Sequence, residues 1–133
     1  MVTEKEALRR FAQFCKKLKG RLMKRMEQEV VWVYTCYFSK PIKLYVNVRD
    51  EGGRLTLKLR GHREGVLDEI ELKDLSHVLY EQFDGTIGAD VWSVDKEINI
   101  YNIESLKARK IEFMPQATFS DEVDDVQLTV VTE

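Results

Sequence analysis

The hydrophobic pattern of this chain changes near residue 30, and this change constrains the fold more than any other feature. Before it, apolar residues recur at spacings of three and four, as on one side of a helix. After it, apolar and polar residues alternate from Ile42 to Val48 and from Leu55 to Leu59, as in half-buried strands. A helical period followed by strand periods predicts an α+β domain. The length of 133 residues favours a single domain over residues 1–133.

The helical period predicts a long amphipathic N-terminal helix over residues 4 to 28. Thr3, with Glu6 three residues later, forms a capping box at its start. Gly20 falls inside this span and indicates a kink or a close approach to another element. One half of the helical wheel is apolar, through Leu8, Phe11, Cys15, Leu18, Leu22 and Met26. We expect this half to pack on a mainly antiparallel sheet.

The strand periods predict that sheet. The sequence Asp50-Glu51-Gly52-Gly53 is typical of a hairpin loop, and Ser39-Lys40-Pro41 of a turn. Near residues 74–83, the spacing of Leu75, Val78, Leu79 and Phe83 predicts a second, shorter helix. Further strands are predicted over residues 30–38, 66–72, 91–94, 98–103, 110–114 and 126–130.

Charge is distributed unevenly, although the net charge is only −2. Residues 7–26 hold eight bases and no acid, whereas residues 111–133 hold six acids and no base. The candidate residues for binding an anion or a partner are Arg9, Arg10, Lys16, Lys17, Arg21 and Lys24. The candidates for binding a basic partner are Asp121, Glu122, Asp124 and Asp125. The basic helix face therefore meets phosphate, a partner protein or the chain's own acidic segment, and the sequence leaves these alternatives open.

The polar side of the predicted hairpin is also mostly basic, and it would extend the helix patch if the two were adjacent. Tyr45 on this side offers a ring on which a base could stack. The bases are Lys43, Arg49, Lys58 and Arg60. Against a nucleic-acid function stand the slightly acidic total charge and the absence of a recognition motif.

Motifs that carry chemistry are missing. His62 and His77 have no zinc-ligand spacing with each other or with the two cysteines. The acids at 121–125 lack the EF-hand pattern, and residues 85–88, Gly-Thr-Ile-Gly, follow a predicted helix and so indicate a turn rather than a phosphate loop. A nucleophilic site built on Cys36 and His77 has no local support. We predict no enzymatic activity, no cofactor and no metal.

Cys15 and Cys36 each have apolar neighbours and are predicted to be buried free thiols. A disulfide would require their Cα atoms to lie within about 7 Å, which the sequence does not reveal. The chain shows neither a signal peptide nor an apolar run approaching the ~20 residues of a membrane span. These features predict a cytoplasmic location without a membrane span.

Together these features predict a small non-enzymatic binding protein, regulatory or accessory in kind, that acts through protein contacts. The partner is another protein or a second copy, since the near-heptad seam of the helix could pair in a homodimer. Binding of DNA or RNA through the basic face of the helix is the alternative, and an enzyme without a local signature is the third.

Overall fold

The computed structural model describes residues 2–27, 31–83, 89–92, 102–117 and 120–133, which form one helix and eight strands. The elements are α1 (Glu4–Lys17), β1 (Arg21–Glu27), β2 (Val31–Glu51), β3 (Arg54–Arg63), β4 (Val66–Leu75), β5 (His77–Phe83), β6 (Ala89–Trp92), β7 (Asn102–Gln116) and β8 (Asp125–Thr132). The predicted α+β class with a mainly antiparallel sheet is confirmed. The predicted strands at 91–94 and 98–103 lie partly outside the described residues, and residues 85–88 lie wholly outside them.

The strands form one sheet in the order β4-β3-β2-β7-β8-β5-β6, and β1 pairs with the first part of β2. Among the described pairs, β5 with β8 is parallel and the others are antiparallel. Only Ser76 separates β4 from β5 along the chain, although the two strands lie near opposite ends of the strand order. The sheet must therefore curl until these strands approach each other, which gives it a concave side.

The helix ends much earlier than the sequence predicts, so the expectation of one helix over residues 4–28 is wrong. Thr3 does cap its start, since its Oγ1 accepts a hydrogen bond from the Glu6 N–H at 3.1 Å. At the other end, Lys19 adopts the left-handed conformation with φ of 58°. Its N–H donates to the Lys16 carbonyl, and the Gly20 N–H donates to the Cys15 carbonyl. This pair of bonds is a Schellman motif, which ends the helix and turns the chain into β1.

The predicted turn at Ser39-Lys40-Pro41 is also wrong, because β2 continues through it as one strand of 21 residues. The pairing of β2 with β7 shifts register between Tyr37 and Ile42. A bulge therefore takes the place of the turn, and Pro41 lies at the kind of irregularity where a strand tolerates proline. The predicted hairpin loop between β2 and β3 is confirmed, with Gly52 and Gly53 at φ of 70° and 88°.

No second helix forms near residues 74–83. These residues end β4 and form β5, in which Val78 and Tyr80 are buried while their chain neighbours are less buried. This alternation matches the two-residue period of a strand with one face toward the core. Pairing with β8 on one side and β6 on the other fixes the segment as a strand.

The core fills the concave side of the sheet. The buried side of α1 packs there through Ala7, Phe11, Phe14 and Cys15. The Phe11 ring stacks on Phe113 of β7 at a centroid distance of 4.7 Å and an interplanar angle of 7°. The expectation that the apolar half of the helix packs on the sheet holds for Phe11, Cys15 and Leu18, whereas Leu22 and Met26 lie on β1 and are exposed. Since Phe11, Cys15 and Leu18 have no exposed surface, this seam is not available for pairing with a second copy.

A disulfide joins α1 to β2. The Sγ atoms of Cys15 and Cys36 are 2.13 Å apart and their Cα atoms 5.8 Å apart, so the prediction of two free thiols is wrong. Gly20 passes close to this bond: a Cβ placed on it would collide with the Cys36 Sγ and lie 2.8 Å from the Cys15 Sγ. The close approach expected at Gly20 is therefore present, although the residue lies after the helix instead of inside it.

Within the described residues, no helix is long and apolar enough to cross a membrane.

Candidate interaction surfaces

The six candidate bases do not share one helix face. Four of them lie on α1, namely Arg9, Arg10, Lys16 and Lys17, whereas Arg21 and Lys24 lie on β1. The predicted patch rested on a helix that continued to residue 28, and the Schellman motif divides it into two parts.

Most of the bases on α1 already have acidic partners. Arg9 Nε lies 2.9 Å from Glu6 Oε2, and Arg10 Nε lies 3.2 Å from Glu6 Oε1. These contacts, with the Arg9 hydrogen bond first, lower the pKa of Glu6 to about 2. Lys17 Nζ lies 3.6 Å from Asp68 Oδ1 of β4. A phosphate at this face would have to compete with the carboxylates for the same cations, so α1 is a weaker anion site than its sequence indicates.

The acidic segment contacts α1 through its backbone and at the helix N-terminus. Thr3 forms a β-bridge with Glu122, and the Glu4 N–H donates to the Asp121 carbonyl at 2.9 Å. This end of a 14-residue helix lies roughly 20 Å from the bases at its other end. Of the four acidic candidates, Asp121 and Glu122 lie beside the start of α1. The backbone of Asp124 bonds to Ser76 and Gln116, and Asp125 begins β8. The contact positions the segment, whereas Arg9 and Arg10 of α1 pair with Glu6 and Lys17 pairs with Asp68.

A groove lies between the first turns of α1 and the start of β2. It has a volume of about 640 Å³, and its lining includes Leu8, Trp32, Tyr34, Glu4 and Asp121. Burial raises the pKa of Glu4. Burial also raises the pKa of Tyr34, and the nearby negative charge of Glu4 raises it further. The groove is therefore partly dehydrated and amphipathic. It was not found from the sequence because its walls come from three distant segments.

The polar side of the β2–β3 hairpin forms a second cleft, of about 280 Å³. It is lined by Tyr45, Asn47, Arg49, Lys58 and Arg60. The Arg60 guanidinium lies 5.0 Å from the centre of the Tyr45 ring, within the range of a cation–π contact. The basic and aromatic side predicted for this hairpin is therefore present, and Tyr45 is part of it.

This cleft is not continuous with the bases of α1. Leu44 and Val48 point into the core beneath α1, so their chain neighbours project from the opposite side of the sheet. Acids from β4 are interspersed: Lys58 Nζ lies 3.6 Å from Glu69 and 3.9 Å from Glu71. The expectation that the hairpin extends the helix patch is wrong, because a sheet separates the two surfaces.

Among the residues that the structure describes, β1 presents the most apolar exposed surface. We refer to residues Arg21–Glu27 of β1, on the side turned away from β2, as the β1 edge. No described strand pairs with this side. Three large apolar side chains of this strand are exposed: Leu22 at 37%, Met23 at 50% and Met26 at 46%. The sequence assigned Leu22 and Met26 to the buried seam of a helix, so the same residues that indicated a core now form a surface.

The pairing register divides the side chains of β1 between the two faces of the sheet. Leu22 pairs with Cys36 and Met26 with Trp32, which places Leu22, Lys24 and Met26 on the side of the disulfide and α1. Lys24 Nζ lies 4.9 Å over the Trp32 ring. The other face carries Arg21, Met23 and Arg25. On that face the Arg21 guanidinium lies 5.6 Å over Tyr37.

The structure changes the chemistry open to the cysteines. A disulfide-bonded Cys36 carries no thiolate, so the hypothetical nucleophile paired with His77 is removed. Among the described residues, no group of three or more His, Cys, Asp or Glu side chains could hold a metal ion.

Comparison with known proteins assigns no function. No protein-family model, no curated protein and no solved structure matches this chain. Any function must therefore be argued from the surfaces themselves.

Proposed function

We propose that this protein is a small non-enzymatic binding protein, regulatory or accessory in kind, that acts through protein contact at the β1 edge. The observation that carries the proposal is the exposure of Leu22, Met23 and Met26 on a strand whose outer side pairs with no strand of the described residues. Edge strands of soluble proteins are normally blunted by charge, proline or cover, since they otherwise recruit other chains. Three large apolar residues among seven are unusual for a strand without a role in binding.

The physics of such a contact is strand addition. An extended segment of the partner would pair with the N–H and C=O groups of β1 that point away from β2, and these bonds supply affinity with little sequence preference. Side chains supply specificity: Leu22 and Met26 would contact apolar partner residues on one face, and Met23 on the other. The bases Arg21 and Lys24 would favour partner segments that carry acids, whereas Arg25 already pairs with Glu112 at 3.4 Å.

The test compares two matched surface variants. A photo-crosslinking residue at position 23 captures the partner in cells of the source, and the partner is then purified and titrated against this protein. The double variant Leu22→Lys with Met26→Lys should raise the dissociation constant at least tenfold, because it removes the apolar contacts. Leu67→Lys is the control, since Leu67 is 52% exposed on β4. Unchanged binding by the β1 double variant would refute the proposal.

Nucleic-acid binding is the second candidate, and the Tyr45 ring is what makes the hairpin cleft a better candidate than α1. Two cations of the cleft are paired like those of α1, since Arg49 lies 3.2 Å from Glu51 and Lys58 contacts Glu69 and Glu71. Tyr45 supplies a ring and Arg49, Lys58 and Arg60 supply cations around one cleft. Single-stranded DNA and RNA oligonucleotides should bind with an affinity that falls steeply with salt. Arg49→Ala with Arg60→Ala should make that slope shallower, and Arg9→Ala with Lys16→Ala should change it less. Absence of binding at ~50 mM salt would eliminate this candidate.

The cytoplasmic location remains a prediction, and the disulfide bears on it. Persistent disulfides are rare where glutathione keeps thiols reduced, except in redox sensors and in hyperthermophiles. Because both cysteines are fully buried, cells are quenched in acid and the thiols are alkylated under denaturing conditions. Mass spectrometry of the peptides that contain Cys15 and Cys36 then distinguishes a reducing compartment from an oxidising one. Full labelling of both residues supports the cytoplasmic location, and protected residues oppose it.

A further inference from the structure

The β1 edge is complementary to itself. If two copies of the strand run antiparallel about a two-fold axis at Lys24, Leu22 of one copy lies opposite Met26 of the other. The same register places Arg21 opposite Glu27, and Met23 opposite Arg25. From this register we infer that the partner at the β1 edge is a second copy of this chain, which forms a dimer through one continuous sheet. The inference rests on the proposed binding at the β1 edge and names its partner.

The register would bury the exposed apolar surface of Leu22 and Met26. Within each copy, Met26 pairs with Trp32 and Leu22 pairs with Cys36. On the side of α1, an apolar row would therefore cross the interface. It would run from Trp32 and Met26 of one copy to Leu22 and the disulfide of the other. Apolar pairs directly opposite each other are the unit of sheet stabilisation, and the symmetry forms the Leu22–Met26 pair twice. The interface is isologous and therefore closes at two copies.

The pair on the axis opposes this arrangement. Two Lys24 residues would lie directly opposite each other, and like charges at this position are destabilising. The ammonium of Lys24, however, lies 4.9 Å over the Trp32 ring of its own chain. In the dimer each lysine would point to its own tryptophan and away from the axis. The repulsion thus weakens the dimer without preventing it. A substitution that removes the charge at position 24 is therefore expected to strengthen the dimer.

A cysteine scan tests the register in the full chain. Lys24→Cys places a thiol on the axis, where its copy lies within cross-linking distance, so mild oxidation should give a covalent dimer as the main product. Met23→Cys and Arg25→Cys are the matched controls. Each meets its own copy only diagonally, at roughly 7–8 Å, and should cross-link at least fivefold less. Peptide mapping confirms that the native pair, which is fully buried, stays intact.

Sedimentation over a range of concentrations gives the second measurement. The wild type should show a monomer–dimer equilibrium. Lys24→Ala should tighten the dimer by up to about fivefold, because it removes the like-charge pair. Leu22→Lys should weaken it at least tenfold, and Leu67→Lys should leave it unchanged.

The outcomes separate this inference from the proposed function. A monomer at every concentration, with no cross-link at position 24, overturns the dimer. A dimer that persists in Leu22→Lys also overturns it, because that dimer forms at another surface. In either case the proposed function survives if a different purified partner binds the wild type and not the β1 double variant.

Discussion

Breaking the Cys15–Cys36 bond should destabilise the folded chain by about 3 kcal/mol. The bond closes a loop with a sequence separation of 21 residues. In the chain-entropy description, such a cross-link removes about 11 cal/mol/K from the unfolded chain, which is about 3 kcal/mol at 25 °C. This is a sizeable part of the ~5–15 kcal/mol that keeps a typical domain folded.

Urea unfolding of the oxidised and reduced wild type measures the effect. With a slope of about 1–3 kcal/mol/M, the midpoint should fall by roughly 1–3 M on reduction. Reduction keeps both sulfur atoms, so the difference reports the cross-link and not a cavity. In the double variant Cys15→Ala with Cys36→Ala, the reductant should change nothing. Equal midpoints for oxidised and reduced wild type, with the bond shown intact beforehand by mass spectrometry, would refute the reasoning.

Three further predictions concern the core. Gly20→Ala should lower the free energy of unfolding by about 3 kcal/mol, because the new Cβ would collide with the disulfide. Gly52→Ala, which has open space around it, should lower it by about 1 kcal/mol because of its positive φ. Urea unfolding midpoints compare the two variants, and equal destabilisation would contradict the packing argument. Burial raises the pKa of Tyr80 to about 12, so the stabilisation it contributes is present below pH 10 and lost as the pH rises through 12. Tyr80→Phe should remove that loss, as followed by alkaline unfolding. Double-mutant cycles should give a coupling of about 0.5–1.5 kcal/mol between Phe11 and Phe113, and additive effects would exclude the stacking contribution.

The parts of the fold that local chemistry determines were predictable. Thr3 caps the helix where the capping box placed it, and the alternation around the β2–β3 loop gave both strands and their inward faces. In each case a single physical rule acts over a few residues, and no distant segment competes with it.

The end of the helix was missed because a spacing of four satisfies both periods. Leu18, Leu22 and Met26 would lie on one side of a helix, and Leu22 and Met26 also share one face of a strand. The residue that decides between them is Lys19, whose left-handed conformation is more often adopted by glycine, so the Schellman motif carried no clear sequence signal. The β1 edge was hidden by the same ambiguity.

Other features depend on contacts that no local pattern encodes. The segment 77–83 became a strand because β8 and β6 pair with it, and the disulfide formed because the fold brings residues 15 and 36 together. The pairing of the helix bases with Glu6 could have been anticipated, since three- and four-residue spacings bring side chains together on a helix.

The parallel pairing of β5 with β8 has a consequence for how fast this protein folds. Residues 77–83 pair with residues 125–131, which lie far along the chain. The intervening chain must lose conformational entropy on loop closure before the contacts of this pair can form and offset the loss. Hairpins such as β2–β3 form early, whereas the curled sheet can close only at this late encounter. We therefore expect refolding on the millisecond-to-second scale of sheet-rich topologies, and the partly folded chain would expose the facing edges of β5 and β8 until they meet.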